Sequence, residues 1–276
     1  MAYSTELSCT ACNNENTTKV CESNGYDLIS CDNCRLVFAP QAIHESPVDY
    51  DGLYVEDGLY ANKLMAVPNR SSRDFPRAIR KGLREISSLR PATLLEIGSG
   101  NGDFLSLIEE MGVECAGVES SRNAVEIARK RLEGPVEHGL FSSGMFADRT
   151  FDVICTWEVL EHVHDLQGFV SCIFDRLRPG GYLFMCTPNY ESRWMWNDLS
   201  NDPRSAPPVH VTFWNRNTLQ RFLDSVFEEN LVQSFSVPQN AARRSGKTLA
   251  EVRVVADSIF RPSQRKTLYS RSRKPA

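Results

Sequence analysis

Apolar and polar positions alternate along the middle of the chain in a regular rhythm. Short apolar runs are separated by stretches in which apolar residues return every three or four positions, as on one face of a helix. The runs that predict buried strands are Leu94–Ile97, Cys115–Val118, Phe151–Trp157, Tyr182–Thr187 and Leu231–Val237. Strands that alternate with helices predict an α/β fold, with a doubly wound, mostly parallel sheet. Ligands of such sheets bind beyond the carboxyl ends of the strands.

The same pattern divides the chain into four parts. Residues 1–40 predict a small cysteine-rich module, residues 41–90 a linker and a helical cap that begins at Pro76, and residues 91–240 the α/β core. Residues 241–276 predict a basic helix followed by an edge strand, Thr267–Arg273, because polar residues interrupt its apolar pattern. We therefore expect one core with appendages.

Charge is distributed unevenly along the chain. The 276 residues carry a formal net charge of −4, yet ten Lys or Arg and only two Asp or Glu lie from position 241 onward. The acidic remainder makes nucleic-acid binding an unfavoured function, whereas the basic tail leaves an anionic partner open. No apolar run reaches the roughly 20 residues that cross a bilayer, and the first residues lack the apolar segment of a secretory signal. We expect a cytoplasmic protein without a membrane span, whose oligomeric state the sequence leaves open.

Two cysteine pairs near the start have the spacing of a metal site. "CTAC" contains Cys9 and Cys12, "CDNC" contains Cys31 and Cys34, and eighteen residues separate the pairs. This is the spacing of a zinc ribbon, in which each pair supplies two thiolates to one tetrahedral ion. The Asn-Gly dipeptide at 24–25 predicts a hairpin turn between the pairs. A redox-active CxxC pair and chance clustering are the alternatives. A four-thiolate zinc ion would be structural.

The segment "LLEIGSGNGDFL" places Gly98, Gly100 and Gly102 between the first predicted core strand and its helix. Such a loop lets backbone amides approach a ligand closely. Its GxGxG spacing differs from the GxGxxG of dinucleotide sites and from the phosphate-binding P-loop. Glu119, at the end of the second strand, suits the two hydroxyls of a ribose, and Glu96, within the first strand, suits a cationic ligand. The alternative is a tight turn that binds no cofactor.

Five segments together resemble successive motifs of the class I S-adenosylmethionine-dependent methyltransferases: "LLEIGSGNGDFL", "GVES", "FDVICTWEVLEHVHD", "LRPGGYLFMCTPN" and "HVTFWNRNTLQRFLDSVF". The resemblance runs from about Ala92 to Val237 and implies a seven-stranded Rossmann-like sheet. It also implies that S-adenosylmethionine binds along the glycine loop. The predicted zinc ribbon, followed by the Tyr-rich "YDGLYVEDGLY", resembles a subset of the family that methylates sugars and other small molecules.

The resemblance implies a role for each candidate site residue. The cofactor-binding residues would be Glu96, Gly98, Gly100, Gly102, Glu119, Leu140, Phe141 and Trp157, with Leu140 and Phe141 beside the adenine ring and Trp157 at the rim near the transferred methyl. His210 matches the position of a base in the sugar C-methyltransferases, although Val209 stands where a glutamate often precedes it. His162, which follows the predicted strand Phe151–Trp157 at its carboxyl end, is the second candidate base. Either histidine could instead be structural.

We therefore predict an enzyme that transfers a methyl group from S-adenosylmethionine to a small-molecule acceptor. The acceptor group would be a hydroxyl of a sugar or related metabolite, and the acceptor could be anionic or sugar-linked. A C-methyltransferase acting on a nucleotide-linked sugar and an rRNA base methyltransferase are the enzymatic alternatives. The acidic body, and "TPNY" where an Asn-Pro-Pro-Tyr motif would stand, argue against the RNA enzyme. A non-catalytic cofactor-binding module is the third hypothesis.

Overall fold

The computed structural model describes residues 8–45, 47–53, 71–191, 205–235 and 267–276. The helix expected within residues 241–266 and most of the Tyr-rich segment lie outside these ranges. The strands are β1 (Thr17–Ser23), β2 (Tyr26–Cys31), β3 (Val37–Phe38), β4 (Thr93–Ile97), β5 (Glu114–Glu119), β6 (Val136–His138), β7 (Phe151–Trp157), β8 (Leu177–Pro188), β9 (Thr212–Phe213), β10 (Glu228–Phe235) and β11 (Thr267–Arg273). The helices are α1 (Pro40–His44), α2 (Tyr50–Leu53), α3 (Arg77–Leu89), α4 (Asp103–Glu109), α5 (Arg122–Arg129), α6 (Leu166–Arg176) and α7 (Arg216–Asp224). Within the described ranges, no helix is long and apolar enough to cross a membrane.

Seven strands form the main sheet in the order β10-β11-β8-β7-β4-β5-β6. The five neighbouring strands β8, β7, β4, β5 and β6 run parallel, as predicted. The strands β11 and β10 are antiparallel and extend the sheet beside β8. The chain builds β5 and β6 on one side of β4 and then β7 and β8 on the other side. The switch point of the sheet therefore lies at the carboxyl end of β4, where ligands of such sheets bind.

The position of β11 differs from the prediction. Thr267–Arg273 is a strand but not an edge strand, because β8 pairs with it on one side and β10 on the other. Ser270 and Ser272 are fully buried there, beside the buried Leu268 and Tyr269. Serine is mostly a surface residue, so a strand that buries serines gives the sequence pattern of an exposed edge.

Helices cover both faces of the main sheet because successive side chains of a strand point to opposite sides. In β4, Leu94 packs in the cluster that contains α3 and α4, whereas Leu95 and Ile97 pack in the cluster that contains α6 and α7. Glu96 shares the face of Leu94. An acid is thus held between the sheet and two helices, close to the carboxyl end of the central strand.

The N-terminal segment forms a second sheet in the order β1-β2-β3-β9, which we call the ribbon sheet. Its hairpin turns at Asn24 and Gly25, with positive φ angles of 49° and 81°, as the Asn-Gly dipeptide predicts. Its last strand, β9, comes from the core and pairs with β3. The amide of Ala39 also donates to the carbonyl of Val211 at 2.9 Å. The ribbon sheet is therefore hydrogen-bonded to the segment that carries His210.

Candidate active site

A cavity of about 840 Å³ opens at the carboxyl ends of β4, β5 and β7. Its size lies within the about 300–1,000 Å³ that is common for small-molecule sites. The lining includes every predicted cofactor-binding residue except Gly102, and it includes His162 but not His210. The cavity therefore gathers residues that are far apart in the sequence, as the parallel sheet predicts.

In the glycine loop between β4 and α4, two glycines are required for different structural reasons. Gly98 has a φ of 76°, and a β-carbon there would come within 2.4 Å of Cγ2 of Val159. Gly102 has a φ of 77°, and its β-carbon would come within 2.8 Å of Cδ1 of Leu132. Gly98 thus lets the loop pack closely against Val159, whereas Gly102 lets α4 start close to Leu132 and lies outside the cavity lining.

Glu119 is held rigidly at the end of β5. Its carboxylate accepts hydrogen bonds from the amides of Gly100 and Ser121, both at 2.8 Å, and from the hydroxyl of Ser120 at 3.2 Å. An ionised carboxylate offers about four acceptor positions, so one stays open and rotation of the Ser120 hydroxyl opens a second. The arrangement suits a ligand that presents two hydroxyl donors.

Glu96 is buried in the cavity wall, and its Oε2 atom accepts no hydrogen bond from the described residues. Burial raises the pKa of this carboxyl well above its usual range, and the nearby carboxylates of Glu119 and Asp103 raise it further. A buried carboxyl with an unsatisfied oxygen favours a cationic neighbour, because a positive charge would stabilise its ionised form.

Leu140, Phe141 and Trp157 all line the cavity. Leu140 is 56% exposed although it is apolar, which leaves a surface that a flat ring could cover. Trp157 differs from the expectation, because it is buried in the wall instead of lying at the rim. Its ring packs against Phe104 at a centroid distance of 5.3 Å and closely approaches Gly82 of α3.

The two predicted histidines lie side by side. The ring centroids of His162 and His210 are 4.7 Å apart with an interplanar angle of 80°. His162 lines the cavity, and its ring makes a perpendicular contact with the ring of Tyr50. His210 is buried and is not part of the cavity lining. A base role for either histidine stays a prediction, but the structure puts the second choice, His162, where an acceptor can reach it.

Glu161 completes this cluster, although the sequence did not single it out. One ligand-type atom from each of Glu161, His162 and His210 lies within 4.8 Å of the others. Glu161 is buried and accepts a hydrogen bond from the hydroxyl of Thr187 at 2.9 Å. Its signal in the sequence is an acid directly before a histidine, in the short turn Leu160–His162 that follows β7. A carboxylate and two imidazoles are groups that can bind a divalent metal ion.

The four cysteines of the ribbon converge as predicted. The sulfurs of Cys9 and Cys34 are 3.5 Å apart, those of Cys12 and Cys31 are 3.6 Å apart, and all four lie within 4.8 Å of one another. A tetrahedral site with zinc–sulfur bonds of about 2.3 Å needs sulfur–sulfur distances of about 3.8 Å. The hydrogen bond between Cys9 and Cys34 lowers the pKa of Cys34 and raises the pKa of Cys9, so the two thiols share one proton without a metal ion. The donor set therefore fits a zinc ion.

The family model of the methyltransferase domain matches residues 71–226, which is more than half of the chain. The chain belongs to the methyltransferase domain family. The seven-stranded sheet, which solved structures of methyltransferases share, agrees with this family and with the fold that the sequence motifs predict.

Curated relatives match part of the chain. The ubiquinone biosynthesis O-methyltransferase of Mesorhizobium japonicum is 36% identical over 127 residues, which are 44% of this chain and 47% of the relative. The mitochondrial ubiquinone biosynthesis O-methyltransferase of Schizosaccharomyces pombe is 29% identical over 147 residues, or 50% of this chain and 49% of the relative. The chain thus spans about half the length of the curated relatives that it matches.

Solved structures share the fold at lower identity. A SAM-dependent methyltransferase from Archaeoglobus fulgidus is 16% identical with a TM-score of 0.55, over 78% of this chain and 98% of that chain. The phosphoethanolamine N-methyltransferase 2 of Haemonchus contortus, in complex with S-adenosylmethionine, is 16% identical with a TM-score of 0.55, over 81% and 58% of the two chains. At these identities the likeness concerns the fold alone.

Proposed function

We propose that the methyltransferase transfers a methyl group from S-adenosylmethionine to a hydroxyl group of a small-molecule acceptor. The observation that carries this proposal is one cavity lined by two kinds of group. Glu96, Glu119 and the glycine loop offer a cofactor site, and His162 belongs to a cluster of proton-accepting side chains. The O-methyltransferase names of the curated relatives support oxygen as the methylated atom.

The residues of the cavity divide the work of the reaction. When bound, S-adenosylmethionine supplies a methyl group that its sulfonium centre already activates. Glu119 would hold the ribose hydroxyls, Glu96 would balance the cationic end, and the cavity wall would exclude water. The acceptor hydroxyl loses its proton as the new carbon–oxygen bond forms. We propose that the cluster of Glu161, His162 and His210 promotes this loss, with His162 nearest the acceptor.

The charge of the cavity favours a neutral acceptor. Its described lining contains no Lys or Arg, and it contains five acids, Glu96, Asp103, Glu119, Glu158 and Asp165. Those of the five acids that are ionised would repel a phosphate or another anion. The wall otherwise includes apolar and aromatic side chains such as Phe75, Ile79 and Phe169. We therefore propose a neutral hydroxyl compound, which favours a free sugar derivative or a phenol over the nucleotide-linked sugar considered from sequence.

We also propose that Cys9, Cys12, Cys31 and Cys34 bind one structural zinc ion. Four thiolates close the coordination sphere, so no position is left for a water molecule or a substrate. Such an ion would hold the ribbon sheet together, because the segment is too short to build a large core of its own.

Acceptor profiling tests the proposed activity. The purified protein would receive S-adenosylmethionine with a tritiated methyl group and a panel of neutral sugars, phenols, nucleotide-linked sugars and RNA. We expect label in an acid-stable methyl ether of a neutral hydroxyl compound. His162→Ala should lower turnover, and His44→Ala, at an exposed histidine of α1, serves as the matched control. Transfer of the label to carbon, nitrogen or RNA would refute the proposal, as would an absence of cofactor binding.

A further inference from the structure

Glu161, His162 and His210 lie close enough together to be considered as ligands of one metal ion. One ligand-type atom from each side chain lies within 4.8 Å of the others. A cation about 2.1 Å from each ligand atom needs those atoms no more than about 4.2 Å apart. The ligand atoms, which lie within 4.8 Å of one another, would therefore have to move closer by up to about 0.6 Å to surround one ion.

Hydrogen bonding orients His162 toward Glu161. Its Nδ1 atom lies 2.7 Å from the carbonyl oxygen of Val209, and a carbonyl can only accept, so Nδ1 carries a proton. In the neutral ring, Nε2 then carries a lone pair, and it lies 3.9 Å from Oε1 of Glu161. The other oxygen of Glu161 accepts from Thr187 at 2.9 Å. Nε2 of His162 and Oε1 of Glu161 are thus both atoms of the kind that bind a metal ion.

His210 is oriented in a comparable way. Its Nδ1 atom lies 2.5 Å from the hydroxyl of Tyr190, and that hydroxyl lies 3.3 Å from the carbonyl oxygen of Ser205. When Tyr190 donates to this carbonyl, its oxygen accepts the Nδ1 proton of His210, and Nε2 of His210 carries a lone pair. Each of the three side chains is then backed by a hydrogen-bond partner, as metal ligands are in proteins.

Burial strengthens the need for positive charge in the cluster. Glu161 is 1% exposed and His210 is 6% exposed. A buried carboxylate is costly unless a cation or several hydrogen bonds compensate its charge. A metal ion bound by Glu161 and His162 would supply such compensation. His162 lines the cavity, so an ion at the cluster would be open to an acceptor on that side.

We propose that Glu161, His162 and His210 bind a divalent cation that coordinates the acceptor hydroxyl. The ligand set is mixed, because imidazole suits zinc or iron, whereas a carboxylate also suits manganese. Three protein ligands leave coordination positions open, as in catalytic metal sites. This inference rests on the proposed O-methyl transfer, and it specifies how the cluster acts on the acceptor.

The cation would replace a histidine base in the proton step. Coordination would lower the pKa of the bound hydroxyl, so that its proton passes to the solvent at the opening of the cavity. The resulting oxygen attacks the methyl carbon, the carbon–oxygen bond forms, and the electron pair of the carbon–sulfur bond returns to sulfur. Both histidines then serve as ligands, and neither titrates during the transfer.

Manganese binding to the full-length protein tests this proposal. Free Mn²⁺ would be followed by electron paramagnetic resonance during a titration, and binding of S-adenosylhomocysteine would be measured in parallel by calorimetry. We expect one Mn²⁺ per chain in the wild type. His210→Ala and Glu161→Gln should weaken Mn²⁺ binding by at least about tenfold, since even the loss of a group that only supports a ligand costs this much. His44→Ala, outside the cluster, should bind Mn²⁺ like the wild type.

Thr187→Val provides a second route if the ligand variants fail to fold. It removes the hydroxyl that orients Glu161 but leaves all three ligands in place. Unchanged binding of S-adenosylhomocysteine together with about tenfold weaker Mn²⁺ binding would support the proposal. Equal Mn²⁺ affinity in the wild type, His210→Ala and Thr187→Val would overturn it, as would a wild type that binds no Mn²⁺. A wild type that binds Mn²⁺ but not S-adenosylhomocysteine would leave the metal site standing and refute the proposed function.

Discussion

Replacing Glu119 by glutamine tests the ribose contact directly. The change preserves the size of the side chain but removes its charge. It also replaces one acceptor oxygen by an amide group that donates, although the backbone amides of Gly100 and Ser121 donate to this side chain in the wild type. A hydrogen bond to a charged group contributes about 1.5–3 kcal/mol, and a neutral one contributes about 0.5–1.5 kcal/mol. Two ribose hydroxyls should together lose about 2 kcal/mol, which corresponds to roughly thirtyfold weaker binding of S-adenosylhomocysteine.

Calorimetry with two ligands separates this contact from a general loosening of the loop. Removal of the ribose 2′-hydroxyl from S-adenosylhomocysteine should weaken binding to the wild type more than binding to Glu119→Gln, because the variant has already lost the charged acceptor. Glu114→Gln is the matched control, since Glu114 starts the same strand and forms an exposed ion pair with Arg149. Equal losses in the wild type and in Glu119→Gln would refute the ribose assignment.

Three further predictions concern Glu96 in the cavity wall, the packing of Gly82 against Trp157, and the cysteine site of the ribbon. The pKa of the Glu96 carboxyl is higher in the folded than in the unfolded protein, so the free energy of unfolding of the apoprotein should fall as the pH rises between these two pKa values. Glu96→Gln should remove this loss in urea unfolding curves recorded from about pH 4 to pH 8. Gly82→Ala would place a β-carbon 2.6 Å from Cη2 of Trp157. It should therefore cost about 1–3 kcal/mol in thermal unfolding, whereas Gly144→Ala, with nothing within 4 Å, should change little. Elemental analysis of protein purified without chelator should find about one zinc per chain, and Cys31→Ser should lower it; an unchanged content in the variant would contradict the tetrathiolate assignment.

Local sequence patterns predicted much of the fold, the cofactor side of the cavity and the four cysteines of the ribbon. The strand-loop-helix around Gly98 is read from contiguous residues, and Glu119 follows from its place at the end of the next strand. The ribbon could be predicted because the four cysteines stand at a diagnostic spacing. Each of these features depends on residues near one another in the sequence or on a regular repeat.

The cluster beside the cavity could not be predicted in the same way. Glu161 and His210 belong to loops far apart in the chain, and they meet because the amide of Val211 donates to the carbonyl of Glu161 at 2.8 Å. No periodicity encodes a contact of this kind. The interior position of β11 was missed for a related reason, since which strands flank it depends on the whole sheet.

The pairing of β3 with β9 has a practical consequence for dissecting the protein. The family match begins at residue 71, yet Val211, Phe213 and Tyr190 bury their apolar surfaces against Leu28 and Ala39 of the preceding segment. A truncated chain that starts at residue 71 would uncover this surface and leave β9 as an unpaired edge, two features that promote aggregation. Tyr190 also contacts His210, so the same cut would loosen the side chain that orients that histidine. A boundary drawn by sequence similarity thus passes through a single folding unit, and expression of the catalytic part alone should yield insoluble or inactive protein.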